Sequence, residues 1–456
     1  MCHDDKDPAV YFYFTNCHFG ARYSAYYWSR LSALTHRLLH VFLWIAHASL
    51  IYVDDSKYLF VDEVAPICSL LVMGLLTACN FPISWGKLQY GKQVNWIGFI
   101  WNYASQIFVS CPLAKVEKLQ GGLKQLLVAG TRVNRDDLQS TTGLAMWYTS
   151  AANLLRPWLC DFYRNLQKPG PVWKSLEEPQ VIELLQKLSD SCMVTCNLEL
   201  SDVRKGWKLV EINDSAVTCT ADLLGPRWKR GRVRLKFFDF DSKAIKVDEA
   251  LAASARLFLN SVAVDAEWRV AGLPATNMHA AADAFATKDH AGIGGWFVTS
   301  PTWPEAAEEL YWFSCQITRD MLPASWGMSD DLSKYIATFE CIAQWVLLES
   351  RQAFGLPNEV SLRQHCDNLG VTELSAKLIT TKAPLCYALQ GLAFTAARAG
   401  QVISLTHRAG ERNEFADMLS RLEDAKYSFF KNSLSPQRRF SFNLRELMQR
   451  PWCVSA

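Results

Sequence analysis

Apolar and polar residues change rhythm several times along this chain. Val10, Phe12 and Phe14 interleave with Tyr11, Tyr13 and Thr15, the period of a strand. From 24 to 46 the apolar residues Leu31, Leu34, Leu38, Val41 and Phe42 recur at helical spacing and predict a helix. Leu50-Ile51-Tyr52-Val53 then runs into Asp54-Asp55, and Lys57-Tyr58-Leu59-Phe60 follows, which predicts a β-hairpin with acids at its tip. Two acids beside a turn are ordinarily solvated turn residues. Val64 through Cys79 is the most apolar run; it is shorter than the ~18–20 residues that span a bilayer. With Pro66 near its start, it predicts a buried helix.

Residues 110–175 predict helices, and Lys168-Pro169-Gly170-Pro171 predicts a linker. In the stretch 176–272, Glu183-Leu184-Leu185-Gln186-Lys187-Leu188 predicts a helix. Arg227, Lys229, Arg230, Arg232, Arg234 and Lys236 form the densest basic cluster. As a strand, Arg232 to Lys236 would alternate cation and apolar residue and present one basic face. That face is either solvated or set against phosphate near an aromatic residue.

The strongest chemical pattern lies in 273–425. Ala281–Ala286 and Gly292–Val298 predict two strands around Lys288-Asp289-His290, and Tyr311–Cys315 a third. Residues 332–350 predict a helix with Ile336, Ala343 and Leu347 on one stripe and Glu340 inside it. An acid on an apolar face is costly unless a cation or metal meets it; the plainer alternative is a stripe-edge Glu that reaches water. Val360–Asn368 predicts a strand ending in Asp367 and leading into a helix. Val402–His407 predicts another strand, Gly410 breaks it, and 413–422 is helical with Asn413 and Asp417 one turn apart. Beyond Leu422, Arg438-Arg439 and Arg445 stand in a tail without a strong pattern.

Composition narrows the classes. Half of the 456 residues are hydrophobic and 20% are charged, which is globular rather than disordered, and the length suits roughly two to four domains. A formal charge of +2 gives no global polyanion signal, so any nucleic-acid affinity must come from local patches. The 14 cysteines include no Cys-x-x-Cys pair; Cys192 and Cys196 are the closest, without zinc-like partners. They predict reduced, mostly buried thiols in an intracellular protein, cytoplasmic or nuclear. Neither a signal peptide nor a transmembrane helix is predicted, and no membrane partner.

Tyr52-Val53-Asp54-Asp55 on its hairpin resembles the metal-binding palm hairpin of reverse transcriptases. Phe19-Gly20-Ala21-Arg22-Tyr23-Ser24 with Trp28, Lys87, and Trp96-Ile97-Gly98-Phe99 resemble that family's flanking palm segments in order and spacing. Pro112-Leu113-Ala114-Lys115 resembles the start of its thumb, and Leu138 to Leu159 the segment that follows it in retrotransposon polymerases. His407-Arg408-Ala409-Gly410-Glu411-Arg412-Asn413-Glu414-Phe415-Ala416-Asp417-Met418-Leu419-Ser420-Arg421 resembles the His-x-Pro-Gly-x-x-Asn-x-x-Ala-Asp-x-Leu-Ser-Arg signature of retrotransposon ribonuclease H domains, with Ala409 in place of the proline.

The resemblance implies an α/β and α+β multidomain chain of the retrotransposon reverse transcriptase–ribonuclease H type, as in LTR-like or tyrosine-recombinase retroelements. It would have a partial palm at 1–100, a thumb-like helical segment at 101–175 and a connection region at 176–272. A ribonuclease H-like mixed five-stranded sheet with helices would follow at 273–425, and a tail at 426–456. It implies that Asp283 bridges two Mg²⁺ or Mn²⁺ ions, that Glu340 and Asp367 hold one and Asp417 the other, and that His407 moves a proton or helps the product leave. The implied substrate is the RNA strand of an RNA/DNA hybrid. In the hairpin, Asp54 is the implied metal ligand and Asp55 its support. No upstream catalytic Asp is found ahead of Phe19-Gly20, where Asp4, Asp5 and Asp7 stand too close. The expectation is therefore a palm lacking fingers and DNA synthesis. A partner chain would be needed to supply the fingers and upstream palm and so complete an RNA-directed DNA polymerase. The other alternative is a decayed remnant that binds nucleic acid without turnover.

Overall fold

The computed structural model describes residues 24–168 (apart from Pro82 and Ser105), 244–270 and 272–448. It also describes the backbone of strand or helix pieces at 2–3, 11–12, 22–23, 170–176, 208–213, 217–218 and 233–239. The chain divides into two compact units, Met1–Pro112 and Leu113–Ala456. Among the described residues no helix is long and apolar enough to cross a membrane.

In the first unit, helix α1 (Arg22–Phe42) precedes the hairpin of β1 (His47–Tyr52) and β2 (Asp55–Phe60), which closes with Tyr52 opposite Asp55. Val53 and Asp54 make the two-residue turn, and Val53 takes φ +55, a left-handed conformation uncommon for a β-branched residue. Its carbonyl accepts the Trp28 indole N–H at 2.6 Å. Helix α2 (Ala65–Ala78) and a three-strand meander, β3 (Gln93–Trp96), β4 (Phe99–Tyr103) and β5 (Ile107–Ser110), complete the unit. The β3–β4 turn puts both Ile97 and Gly98 at positive φ, as a tight hairpin of this kind requires. Lys57 of β2 lies buried over the Trp101 ring at 3.4 Å and the Trp96 ring at 4.0 Å, and this burial pulls its ammonium down to about 8.

Two expectations change here. The stripe that predicts α1 is not the face it buries. Leu31, Leu34, Leu38, Val41 and Phe42 are exposed, while Ser32, Thr35, Leu39 and Leu43 are buried. Helix α1 has two apolar faces, and the Leu39–Leu43 face is the one that meets Cys68 and Val72 of α2. Likewise α2 is not buried all round; Ile67, Leu70 and Leu71 are exposed because partners cover it on one side only.

The second unit begins with helices α3 (Leu113–Lys124), α4 (Arg135–Tyr148) and α5 (Leu159–Gln167); the strand β6 (Arg132–Asn134) lies between the first two. Asn134 caps α4 by accepting from the Asp136 N–H at 3.1 Å. Strand β7 (Gly170–Leu176) starts within the expected linker; as an edge strand it tolerates Pro171. It pairs with β9 (Val233–Asp239), which pairs with β8 (Lys208–Asn213). Arg234 and Lys236 fall two positions apart on β9. Arg227, Lys229, Arg230, Arg232 and the expected helix at Glu183–Leu188 lie outside the described residues. Strand β10 (Ala244–Lys246) pairs with β6, and helix α6 (Glu249–Ser261) follows under an Asp248 cap.

From Ala280 onward the chain builds a five-stranded mixed sheet. Strands β11 (Ala280–Ala286), β12 (His290–Phe297) and β13 (Tyr311–Thr318) form an antiparallel meander; β14 (Ser361–Cys366) and β15 (Val402–His407) add on parallel, in the order β13-β12-β11-β14-β15. Helices α7 (Ile336–Ala353), α8 (Leu369–Lys377) and α9 (Leu385–Arg398) connect the parallel strands, and α10 (Glu414–Ser420) follows the last one. Ala280, Ala282 and Ala284 face a core shared with α7 and α9, while Ala281 faces a second core under α10. Helix α7 lacks the single stripe expected of it, because it is buried on every side from Thr338 to Arg351, between the sheet and α9.

The patternless tail belongs to both cores. Helix α11 (Ser428–Ser433) puts Phe430, with Leu434 just beyond it, into the core under α10. Helix α12 (Leu444–Met448) puts Leu444, Leu447 and Met448 into the other.

Glycines set how closely α10 lies on the sheet. A Cβ at Gly292 would sit 2.2 Å from the Ser420 carbonyl oxygen, and one at Gly294 would sit 2.2 Å from the Leu419 carbonyl carbon and the Ser420 nitrogen. These contacts are to backbone, which cannot swing aside. Gly294→Ala is therefore expected to cost about 1–3 kcal/mol as an overpacked site. Urea unfolding measures it, and an unchanged midpoint would show that α10 does not depend on this close approach.

Candidate active site

Strands β11 and β14 are paired only at Ala281 opposite His365. At and just past that point Gln344 of α7 staples them: its side-chain amide donates to the Ala282 carbonyl at 3.3 Å and the His365 carbonyl at 3.0 Å. Gln364 in turn donates to the Gln344 side-chain oxygen at 3.0 Å. Beyond the staple the strands part. Such a crevice, at the carboxyl ends of parallel strands where sheet order reverses, is where open α/β sheets place their ligands.

Four carboxylates meet at this crevice. Asp283 is mid-strand on β11, opposite Gly294, and only 4% exposed. Glu340, 3% exposed, lies in the first turns of α7 and accepts the Ala284 backbone N–H. Asp367 directly follows β14, and Asp417 lies on α10. Glu340, Cys366 and Asp367 place ligand atoms within 4.8 Å of one another. Asp283 lies within hydrogen-bonding reach of Asp367 and feels the charge of Asp417. The sheet brings these four together from strand, helix, strand end and late helix.

Burial and mutual repulsion dominate the electrostatics. Burial first, then Asp367 and Asp417, push the Asp283 carboxyl up to about 8; its proton is then held toward Asp367. Burial first, then Asp283 and Asp367, push Glu340 up to about 10. The Ser420 hydroxyl partly offsets this by donating to Asp283 at 3.2 Å. Asp417 is more open: Arg421 pairs with it at 3.1 Å, and the Tyr427 hydroxyl donates to it at 3.4 Å.

His407 ends β15 and is exposed. Its Nε2 donates to the Asp367 backbone carbonyl at 3.0 Å, which fixes the ring beside the cluster and leaves Nδ1 as the second nitrogen. Asp54 is a turn residue and Asp55 the first residue of β2, both exposed in the first unit. Among the described residues they form no metal-sized group with a third His, Cys or acid.

Reading the sequence alone overlooks Gln344, Cys366, Ser420, Arg421 and Tyr427. Gln344 stands four residues after Glu340 on the same helix, and Ser420-Arg421 closes the quoted signature, so those were accessible to inspection. Tyr427 falls in the tail, where no periodicity marks it.

No family model matches this chain, and no curated protein matches it. Among solved structures it is similar to ribonuclease H1 from the halophilic archaeon Halobacterium salinarum NRC-1, at 21% identity over 32% of this chain and 98% of that one, with a TM-score of 0.23. It is also similar to LC11-RNase H1 in complex with an RNA/DNA hybrid, at 20% identity over 33% of this chain and 97% of that one, with a TM-score of 0.25. The foamy viral protease-reverse transcriptase in complex with dsDNA is similar over 87% of this chain and 60% of its own length, at 10% identity and a TM-score of 0.28. With scores this low, the functional reading rests on the residues of this chain.

The raised carboxyls fix a pH dependence. Asp283 and Glu340 keep protons in the folded chain that the unfolded chain has already released, so the folded state binds more protons over that interval. Without divalent metal, stability is therefore expected to fall as pH rises from about 4 through the Asp283 value of about 8 and toward the Glu340 value of about 10. Mg²⁺ or Mn²⁺ should restore it at the upper end, and Asp283→Asn should flatten the slope. Thermal melting in EDTA across this range checks the sign; a melting temperature that rises with pH contradicts it.

Proposed function

We propose that the segment from 273 onward is a metal-dependent ribonuclease that hydrolyses the RNA strand of RNA/DNA hybrids. The observation that supports this most directly is the crowding of Asp283, Glu340, Asp367 and Asp417 at the point where β11 and β14 part. Two acids held protonated by burial and then by their neighbours are a costly arrangement for a protein to keep without a cation. The donor set fits Mg²⁺ or Mn²⁺, because hard divalent ions take oxygen ligands.

In this reading Asp283 would be shared by two ions, Glu340 and Asp367 would hold one of them, and Asp417 would hold the other. When bound, such ions would supply positive charge for the phosphodiester and make the attacking water more acidic. Asp417 would give up its pairing with Arg421 for this role. His407, anchored through Nε2, carries a proton at Nδ1 to or from the reacting oxygens. Arg234 and Lys236, with Arg227, Lys229, Arg230 and Arg232, contact backbone phosphates.

We further propose that residues 1–100 derive from a reverse-transcriptase palm, with Asp54 as its metal ligand and Asp55 beside it. Residues 101–175 correspond to the thumb and 176–272 to the connection. The hairpin with a two-residue turn at Val53-Asp54 supports this part.

The test is cleavage of a labelled RNA/DNA hybrid by the whole chain. Cutting is expected with Mg²⁺ or Mn²⁺ and not with EDTA, and only of RNA within the hybrid. Asp283→Asn should abolish it, and His407→Ala should slow it by about 10²–10⁴. Cleavage by Asp283→Asn at the wild-type rate would refute the assignment.

A further inference from the structure

Beside the carboxylate cluster lies a second concavity of about 290 Å³, at the small end of ligand pockets, which run about 300–1,000 Å³. Its walls come from Trp296, Trp303 and the loop that joins β15 to α10. Asn413 lines it in an unusual state. The residue holds the N-cap position of α10 but its side chain makes no cap hydrogen bond. It is 2% exposed, and both its amide oxygen and its amide nitrogen lack a partner. The buried Trp296 indole N–H, in the same wall, also lacks one. Leaving such groups buried and unmet is costly unless a ligand meets them.

The rest of the pocket is flat and aromatic. The Arg408 guanidinium lies 3.6 Å from the centre of the Trp303 ring, and its Nε donates to the Arg412 carbonyl, which holds its plane. Trp303 is braced edge-on against Trp296 with ring centres 4.9 Å apart, and against His365 at 5.5 Å. Glu411 and Glu414 line the pocket along with Arg408 and Arg412, so the cations are balanced by two acids. That balance disfavours a phosphate and suits a neutral planar group. A side-chain amide offers a donor and an acceptor side by side, the pair that adenine presents at N7 and N6.

We propose that this pocket takes one unpaired nucleobase, adenine best, stacked on the Arg408–Trp303 pair and read by Asn413. This rests on the ribonuclease reading for its nucleic acid: the base belongs to an unpaired end or bulge next to the hybrid that the carboxylates engage. Stacking and a bidentate amide contact are each worth about 5- to 150-fold in affinity.

The experiment measures binding of the whole chain, in EDTA so that nothing is cut, to fluorescein-labelled RNA/DNA hybrids. The hybrids are blunt or carry a single-stranded adenine or uracil overhang, on the RNA strand or on the DNA strand. The adenine overhang is expected to bind about 5- to 150-fold tighter than the blunt hybrid, and tighter than uracil. The strand whose overhang gives the gain identifies the source of the base. Trp303→Ala and Arg408→Ala should each remove the gain without changing affinity for the blunt hybrid, and Trp303→Phe should keep it. Equal affinity of wild type for blunt, adenine and uracil hybrids overturns the proposal whatever the variants do. Because no metal is present, the two readings fail separately. An adenine preference with no cleavage in Mg²⁺ leaves the pocket and removes the ribonuclease; cleavage with no preference does the reverse.

Discussion

A helix carrying one carboxylate has to lie almost on the backbone of a strand. Asp283 feels the charge of Asp417 because α10 rests against Gly292 and Gly294, where side chains would collide with Leu419 and Ser420. Two glycines inside a strand normally weaken it, since they add chain entropy and contribute nothing to packing. Here they turn that loss into proximity between two layers. The Ser420 hydroxyl, carried in by the same approach, is the donor that reaches Asp283. Burial and the Asp367 charge lift the Asp283 carboxyl first, and the close cover on this side adds the charge of Asp417.

The other side contributes by a different route. Helix α7 is enclosed between the sheet and α9, where Trp345 packs so tightly that a Cβ at Gly391 would meet its ring at 2.5 Å. A helix this enclosed cannot turn Glu340 outward to water, and the plain stripe-edge alternative is lost with it. Gln344, one turn later, holds β11 and β14 together so that they separate at the carboxylates rather than before them. Structural and chemical residues therefore alternate along a single helix.

Much of this was legible in the residue order. Apolar runs located the strands at 281–286, 311–315 and 402–407, and the resemblance of His407–Arg421 to a ribonuclease H signature singled out the loop and helix that reach the site. Hairpin and acid positions in the first unit followed from the run around Asp54. Burial was less legible. Helix α1 has two apolar faces, and periodicity does not say which one finds a partner; the Leu31–Phe42 stripe is the exposed one. The tail defeated pattern reading because α11 and α12 are 6 and 5 residues long, too short to show a period.

That tail bears on how the protein is produced in pieces. It passes along the β13 edge of the sheet, where the Trp312 indole donates to the Ser435 carbonyl at 2.9 Å and the Trp312 carbonyl accepts from the Phe440 N–H at 2.8 Å, and it seals one core before reaching the other. A recombinant fragment stopped near residue 425, where the recognisable signature ends, would keep every carboxylate yet open an apolar gap on both faces of the sheet. Its purified form would bind hydrophobic dyes and lose sharp melting, the marks of a loosened globule. Inactivity of such a fragment would then report on packing and not on chemistry.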